Sequence, residues 1–412
     1  MKNEIDDLMT AGEIDALLIA GPTSHNPAMV YFTGIKPISS TFLIKKVGQA
    51  PVLFYLPMER DEAANTGLQT KNIFDYDIYK LLEETGGDHM RMLALQLQRM
   101  LQDFDVSGRV ALYGETEIGS LFASLRLLEQ IQPDVEIVGE DTSRSVLGRA
   151  RTTKDEDEIS RIRKMGQVTT NVVSDVAGFL TSHNVKNDLL VDRSGNVLTV
   201  GAVKRRINTW LSMRGADNPH GCIFAIGRDA GVPHSSGSDD DPVAVGKSII
   251  FDIYPTEAGG GYYFDFTRTW CLGHAPDDVQ AAYEDVLDVY DSVREAMEVD
   301  APFRDYQIMA CEMFAEQGHA TIMSDSNTKE GYVHSLGHGL GLDVHEAPNS
   351  VHLESNQDRL RPGSVVTIEP GLYYPGRNYG VRIEDTIWVR PDGKMEILAD
   401  YPKDLVLKMP GI

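Results

Sequence analysis

The stretch SIIFDIYPTEAGGGYYFDFTRT, Ser248–Thr269, decides the fold of the second half of this chain. Its first four residues are an apolar run typical of a buried strand, and that run leads into Asp252. Gly259–Gly261 then predict a chain reversal, and the return segment carries Asp265 between two phenylalanines. Because a buried carboxylate is costly without a partner, two such aspartates on one hairpin, brought face to face, indicate a cation or a shared proton between them.

A second segment, VHSLGHGLGLDVHEAP, concentrates histidines within twelve residues: His334, His338 and His345. The interleaved glycines argue against a continuous helix, so the histidines are not predicted to share a helical face. A single histidine here would most simply be a hydrogen-bonded structural residue. Three in so short a stretch favour a functional site instead.

Two later segments add charged residues to strand patterns. The run VVTIEPG ends an apolar strand at Glu369. The run YGVRIEDTIW places Arg382 and Glu384 two residues apart, so a strand would point both side chains to the same side. Asp385 would face away, and we expect it to be structural.

Together these segments supply four carboxylates and one imidazole as candidate metal ligands: Asp252, Asp265, His338, Glu369 and Glu384. Four carboxylates balance the charge of two divalent cations. Oxygen ligands with one nitrogen suit Mn²⁺, our first expectation, and also Co²⁺, Fe²⁺ or Zn²⁺. A water that bridges two such metals has its pKa lowered towards ~7 and becomes a nucleophile. For any one carboxylate alone, an ion pair with a nearby arginine stays the alternative.

The first 150 residues alternate strand-like and helix-like patterns, which predicts an α/β domain. The predicted strands are Ala16–Ala20, Thr41–Ile44, Val52–Tyr55 and Val110–Tyr113, and the predicted helices are Met90–Phe104 and Glu117–Ile131. A charged segment, Arg151–Glu158, then opens a long amphipathic helix for which we expect a threonine N-cap. We therefore place the domains at residues 1–150 and 151–412.

Composition agrees with two globular domains. The chain has 412 residues, 42% of them hydrophobic, with Lys+Arg 38 against Asp+Glu 62 and a net charge of −24. So acidic a surface repels phosphate backbones, which argues against nucleic acid as a partner. Most of this charge is expected on a solvated surface, and a minor share on metal ligands.

The remaining features favour a soluble cytoplasmic protein. Cysteines number 3, and they are widely spaced without a CxxC pair, which fits free thiols in a reducing compartment. The N-terminal segment is acidic where a secretory signal would be basic and apolar. No apolar run is long enough to predict a membrane span.

The ordered motifs resemble those of the pita-bread metallopeptidases, family M24, and most closely their prolidase and aminopeptidase P branch. The matching motifs are Asp265-Phe-Thr-Arg-Thr, His334-Ser-Leu-Gly-His338, Glu369-Pro-Gly and Arg382-Ile-Glu384-Asp. The first domain resembles, less specifically, a creatinase-type N-terminal domain, best at NPAMVYFTG, Asn26–Gly34. The resemblance implies an α/β N-terminal domain followed by an α+β catalytic domain, in which helices cover a curved antiparallel sheet.

The resemblance also implies an Xaa-Pro dipeptidase or aminopeptidase P, acting on a proline-containing di- or oligopeptide through a metal-bridging hydroxide. Asp265 and Glu384 would bridge two metal ions. Asp252 would bind one of them, and His338 and Glu369 the other. A homodimer through the first domain is a further expectation from the resemblance.

Catalytic and substrate-binding roles follow from the same resemblance. Glu369 would also be the acid/base that handles the proton of the bridging water. His234 and His345 match catalytic histidines on the substrate side, the second of them stabilising the tetrahedral intermediate. His334 and Arg382 match residues near the proline ring and the substrate carboxylate.

Two alternatives stay open. One is an enzyme of the same fold with other chemistry, such as creatinase-like C–N hydrolysis or a lyase that releases dimethyl sulfide. Creatinase-like members lack the full ligand set, and the lyase has an aspartate where this chain has Tyr254. The other alternative is a non-catalytic binding module, which the intact ligand set disfavours. The segment between Asp252 and Asp265 is longer than is usual in the family, which affects the expected specificity more than the metal site.

Overall fold

The computed structural model describes residues 4–142 and 144–411, which form two compact units. One unit comprises the chain up to Arg151 together with Gly259–Gly261, and the other comprises Thr152–Ala258 and the chain from Tyr262 onward. Within the described ranges, no helix combines the length and the apolar character needed to cross a membrane.

The first unit is built on a six-stranded mixed sheet with the order β4-β3-β2-β1-β5-β6. Its strands are β1 Ala16–Gly21, β2 Thr41–Lys46, β3 Val52–Tyr55, β4 Gln69–Asn72, β5 Gly108–Gly114 and β6 Val135–Val138. Its helices are α1 Ile5–Ala11, α2 Pro27–Thr33, α3 Arg60–Ala64, α4 Ile78–Glu84, α5 His89–Asp103, α6 Ile118–Ile131 and α7 Val146–Arg151. The strands and helices predicted in this half are confirmed.

Both faces of this sheet are buried, which explains why its central strand is a continuous apolar run. Along β1, Leu18 packs into a core with residues of α5 and α6, such as Leu97 and Leu125. Leu17 points to the opposite face and packs into a second core, which includes Met29 of α2. Alternate residues of one strand therefore serve two helical layers.

The second unit begins with a long helix, α8 Glu156–Thr181, whose N-cap is Asp155. The Asp155 side chain accepts a hydrogen bond from the backbone N–H of Glu158, and the Glu158 side chain accepts one from the backbone N–H of Asp155. The two residues therefore form a capping box. The predicted threonine cap is wrong. Thr153 still lies in an extended bridge with Ser364, so the helix starts two residues later than a threonine cap would require.

The second unit contains most of the strands and long helices of the chain. Its other helices are α9 Val200–Met213, α10 Asp277–Ala296 and α11 Phe303–Glu316. Its strands are β7 Asn184–Lys186, β8 Leu189–Val191, β9 Ala216–Asp217, β10 Cys222–Ile226, β11 Ser248–Ile253, β12 Thr256–Glu257, β13 Phe266–Leu272, β14 His338–Gly339, β15 Glu346–Asn349, β16 Val365–Ile368, β17 Gly371–Tyr374, β18 Tyr379–Arg382, β19 Asp385–Val389, β20 Met395–Ile397 and β21 Val406–Leu407.

Two antiparallel arrays carry the candidate site. One has the order β10-β11-β13-β21, in which only the β13–β21 pair is parallel, and the other has the order β15-β14-β16-β19-β20. A bridge between Thr267 and Glu384 connects them. Helices α10 and α11 pack their apolar faces, including Tyr290 and Phe314, against strands of the second array and of the β17–β18 pair.

The predicted strand before Asp252 is confirmed as β11, but the hairpin is not a simple one. Asp252 lies opposite Thr267 in the register, and Asp265 precedes the return strand. The two carboxylates are therefore not cross-strand neighbours, contrary to the expectation for a simple hairpin. Between them, β12 pairs with β9 rather than with β13. This extra pairing accounts for the long connection between the two aspartates.

Candidate metal centre

A buried cluster of ligand atoms lies where the strands of the second unit converge. Asp265, His338 and Glu384 each present one such atom, and these atoms all lie within 4.8 Å of one another. Nε2 of His338 lies 3.7 Å from Oδ2 of Asp265 and 3.5 Å from Oε1 of Glu369. Residues separated by more than a hundred positions in the chain are therefore brought to one point.

Strand pairing explains how the second array contributes to this cluster. Gly339 of β14 pairs with Val366 of β16, which holds His338 beside the end of the strand that leads into Glu369. The backbone N–H of Glu369 donates to the carbonyl of Leu336 at 2.8 Å. Backbone contacts thus hold His338 and Glu369 in place, and Nδ1 of His338 also lies 3.0 Å from the carbonyl oxygen of Gly339.

Glu384 is held from the other array. The hydroxyl of Thr267 donates to Oε2 of Glu384 at 2.7 Å, next to the bridge between the two backbones. The strand expected over YGVRIEDTIW is interrupted, because β18 ends at Arg382 and β19 begins at Asp385. Arg382 and Glu384 nevertheless both reach Thr267, whose Oγ1 also accepts from Nε of Arg382 at 3.3 Å.

Asp385 has the structural environment that its outward position predicted. Arg268 lies 2.8 Å from its Oδ1, and Lys403 lies 2.8 Å from its Oδ2. The hydroxyl of Tyr290 donates to the same Oδ2. These contacts satisfy the Asp385 carboxylate within the protein.

Asp252 is only half satisfied. Its Oδ2 accepts from Nη2 of Arg382 at 2.6 Å, whereas its Oδ1 is buried without a hydrogen-bond partner among the described residues. Buried carboxylate oxygens are normally bonded, so an orphaned one indicates a missing ligand.

The raised pKa values of the buried carboxyl groups also favour cation binding at the cluster. Burial raises the pKa of Asp265 well above its usual range, and the charges of Asp252 and Glu369 raise it further. The pKa of Glu384 is raised in the same way by burial and then by Asp265. Burial also raises the pKa of Glu369 to about 8. Divalent cations would remove this repulsion and favour the ionised carboxylates.

The histidine of the cluster is in the protonation state that metal binding needs. Burial, followed by the neighbouring His345, lowers the pKa of His338 to about 3, so its imidazole is neutral at pH 7. A neutral imidazole binds divalent metals through its free nitrogen. The carboxylates, the bare Oδ1 of Asp252 and this imidazole therefore fit divalent metal ions.

The remaining predicted site residues surround the cluster. Nε2 of His334 lies 2.8 Å from the hydroxyl of Tyr373, and its Nδ1 lies 4.0 Å from Oε2 of Glu369. The ring of His345 packs edge-on against that of His338, with centroids 4.2 Å apart. His234 is exposed, and burial lowers the pKa of both His334 and His345.

Two residues of the site were missed by sequence reasoning. The hydroxyl of Tyr373 accepts from Nη1 of Arg382 at 2.7 Å and also contacts His334, so it connects two predicted substrate residues. The phenol of Tyr254 experiences the charges of Asp252 and Asp265. Its position two residues after Asp252 offered a signal for Tyr254, which lies just past the end of β11, whereas nothing in its local sequence distinguishes Tyr373 from Tyr374.

Comparisons with known proteins agree with this architecture. The model of metallopeptidase family M24 matches residues 160–391. The chain is 31% identical over 262 residues to a probable dipeptidase PepE of Mycobacterium bovis, an alignment that covers 64% of this chain and 62% of that protein. It is 25% identical over 398 residues to an Xaa-Pro dipeptidase of Pyrococcus horikoshii, covering 96% and 95% of the two chains.

A solved structure shows the same fold. The X-Pro aminopeptidase of Thermotoga maritima superposes with a TM-score of 0.73 over 97% of this chain and 99% of its own, at 23% identity. The protein described here therefore belongs to metallopeptidase family M24 and has the pita-bread fold.

Proposed function

We propose that the protein is a metal-dependent peptidase that cleaves the bond before proline in di- or oligopeptides. The observation that carries this proposal is the buried group formed by Asp265, His338 and Glu384, together with Oδ1 of Asp252, which has no hydrogen-bond partner among the described residues. The named activities of the Pyrococcus and Thermotoga relatives supply the substrate class.

In this proposal two divalent metal ions, manganese by preference, occupy the cluster. Asp265 and Glu384, which lie with His338 in one buried group of ligand atoms, would be ligands of both ions. Asp252 would complete one site through its Oδ1, and His338 and Glu369 would complete the other. The bound metals would supply Lewis acidity, lowering the pKa of a bridging water to give a hydroxide and polarising the substrate carbonyl.

The surrounding residues then handle protons and orient the substrate. Glu369, ionised when the metals are bound, would accept the proton of the attacking water and pass it to the leaving proline nitrogen. His345 and His234, on the open side, donate hydrogen bonds to the substrate carbonyl as its negative charge develops. His334 and Arg382 orient the end of the substrate that carries its carboxylate.

A substrate screen tests this function. Protein loaded with Mn²⁺ or Co²⁺ is incubated with Xaa-Pro dipeptides, longer Xaa-Pro peptides and Xaa-Ala peptides of equal length. We expect cleavage of the proline peptides, and the length series shows whether the protein is a dipeptidase or an aminopeptidase. Metal-loaded protein that cleaves none of them would move the assignment to non-peptidase chemistry of the same fold.

A further inference from the structure

A buried ion pair lies directly beside His345 in the chain. Nζ of Lys154 is 2.5 Å from Oε1 of Glu346, and the two side chains are only 1% and 8% exposed. Removing one partner of a pair so sheltered from water leaves the other charge buried and uncompensated, a cost that an ion pair on the surface does not carry. It joins the beginning of the second unit to the histidine-rich segment.

The backbone of Lys154 is fixed on both sides. Its N–H donates to the carbonyl of Gly363 at 2.7 Å, and Thr153 bridges to Ser364. The next residue, Asp155, is the N-cap of α8. The ammonium group of Lys154 is therefore a fixed point to which another segment can be attached.

Glu346 is that attachment. It is the first residue of β15, where it pairs with Gly339, the neighbour of His338. A Cβ atom placed on Gly341 would lie 2.2 Å from Oε1 of Glu346, so the carboxylate packs against the Gly341 backbone. The segment between Gly341 and Glu346 thus ends at a fixed carboxylate.

The orientation of His345 depends on the Lys154–Glu346 ion pair, because hydrogen bonds do not fix the His345 ring itself. Across residues 4–142 and 144–411, no group forms a hydrogen bond with its imidazole, which touches the ring of His338 edge-on. Its side chain is exposed to solvent. The direction of the ring is therefore set by the backbone that Glu346 holds.

We propose that Lys154 is a positioning residue that orients His345 through Glu346. The inference rests on the proposed function, in which His345 contacts the substrate carbonyl. Without the ammonium group, Glu346 would turn away from Gly341 towards water, and His345 would lose its fixed direction. Small displacements of a group that must meet a developing charge cost up to ~100-fold in rate.

Activity measurements on the metal-loaded protein form the first test. We expect Lys154→Met to lower kcat on an Xaa-Pro dipeptide about tenfold or more with KM nearly unchanged, and Lys154→Arg to restore most of it. Lys164→Met, on the exposed side of α8, is the matched control and should have no effect. In a His345→Ala background Lys154→Met should add nothing, because the group it positions is gone.

Histidine NMR of the metal-free protein provides a readout that does not require activity. The His345 ring signal is assigned by its loss in the His345→Ala variant. We expect one sharp signal in the parent protein and in Lys154→Arg, and a shifted or broadened one in Lys154→Met. This test stands even if no peptide is cleaved, so failure of the proposed function and failure of the positioning role are distinguishable.

Two results would overturn the proposal. One is an unchanged His345 signal in Lys154→Met. The other is full recovery of activity in the double variant Lys154→Met, Glu346→Gln, which removes both buried charges. That recovery would show that the two charges only neutralise each other and do not position His345.

Discussion

Nη2 of Arg382 lies 2.6 Å from Oδ2 of Asp252, on the side of the carboxylate away from the bare Oδ1. One oxygen of Asp252 is thus committed to the protein and the other is free for a cation. In the proposed function, Arg382 would therefore orient a metal ligand as well as supply positive charge to the substrate site. A buried carboxylate with one bonded and one unbonded oxygen is stronger evidence for a bound cation than an acidic cluster alone. The unbonded oxygen lowers the stability of the protein unless a ligand binds it.

The first prediction concerns the bridging carboxylates. Asp265→Ala or Glu384→Ala removes a ligand shared by both proposed ions, so we expect metal content to fall by at least one ion per chain and activity to fall by about a thousandfold or more. Metal analysis after gel filtration measures the first effect. Asp240→Ala, in an exposed acidic turn, is the matched control. Full activity in either variant would exclude the dinuclear mechanism.

The second prediction concerns the stability of metal-free protein. The carboxyl groups of Asp265, Glu369 and Glu384 have pKa values raised in the folded state, that of Glu369 to about 8. These carboxyl groups bind protons more tightly in the folded state than in the unfolded state. Their protonation therefore stabilises the fold fully below the ordinary carboxyl pKa, and this stabilisation is lost as pH rises towards 8.

We therefore expect the Tm of chelator-treated protein to fall between pH 6 and pH 8 relative to that of metal-loaded protein. Differential scanning calorimetry at both pH values measures this gap. The Glu369→Gln variant has no carboxylate charge to bury at this position, so we expect a smaller Tm difference between its metal-free and metal-loaded forms. A gap that does not change with pH would contradict the electrostatic reading of the cluster.

The third prediction concerns Tyr373, whose hydroxyl contacts Arg382 and His334. Tyr373→Phe removes both hydrogen bonds, so we expect kcat/KM to fall about tenfold while metal content is retained. Tyr374→Phe is the matched control, because that hydroxyl contacts His319 instead. Equal losses in the two variants would show a general packing effect and not a role in the site.

The fourth prediction concerns Asp385, whose carboxylate pairs with Arg268 and Lys403. Asp385→Ala leaves the buried guanidinium of Arg268 without a carboxylate partner, and we expect a loss of about 3–5 kcal/mol in the free energy of unfolding. Urea denaturation measures it. Asp392→Ala, in an exposed pair with Arg390, should have little effect. A small loss for Asp385→Ala would contradict its structural role.

Local patterns predicted the parts of the structure that depend on neighbouring residues. The apolar run before Asp252 predicted β11, and the interleaved glycines correctly excluded a helix around His338. The threonine cap failed because a bridge to Ser364, more than two hundred residues away, keeps Thr153 extended. Caps of this kind depend on tertiary contacts that no local window contains.

The convergence of the ligands could not be derived from the residues alone. Spacing predicts strands around Asp265 and Glu384, which lie just outside strand ends, but their proximity depends on a bridge between two arrays at Thr267. The resemblance to a known family supplied that relation. Tyr373 escaped notice for the same reason, since its partners His334 and Arg382 come from a loop and from another strand.

One measurement tests the central claim most directly: titration of metal-free protein with Mn²⁺ while hydrolysis of an Xaa-Pro dipeptide is followed. We expect no hydrolysis before metal is added, and a rate that rises to a plateau near two equivalents per chain. Hydrolysis at full rate in the presence of chelator, or no hydrolysis at any metal loading of folded protein, would contradict the proposal that this cluster is a dinuclear centre for cleaving the bond before proline.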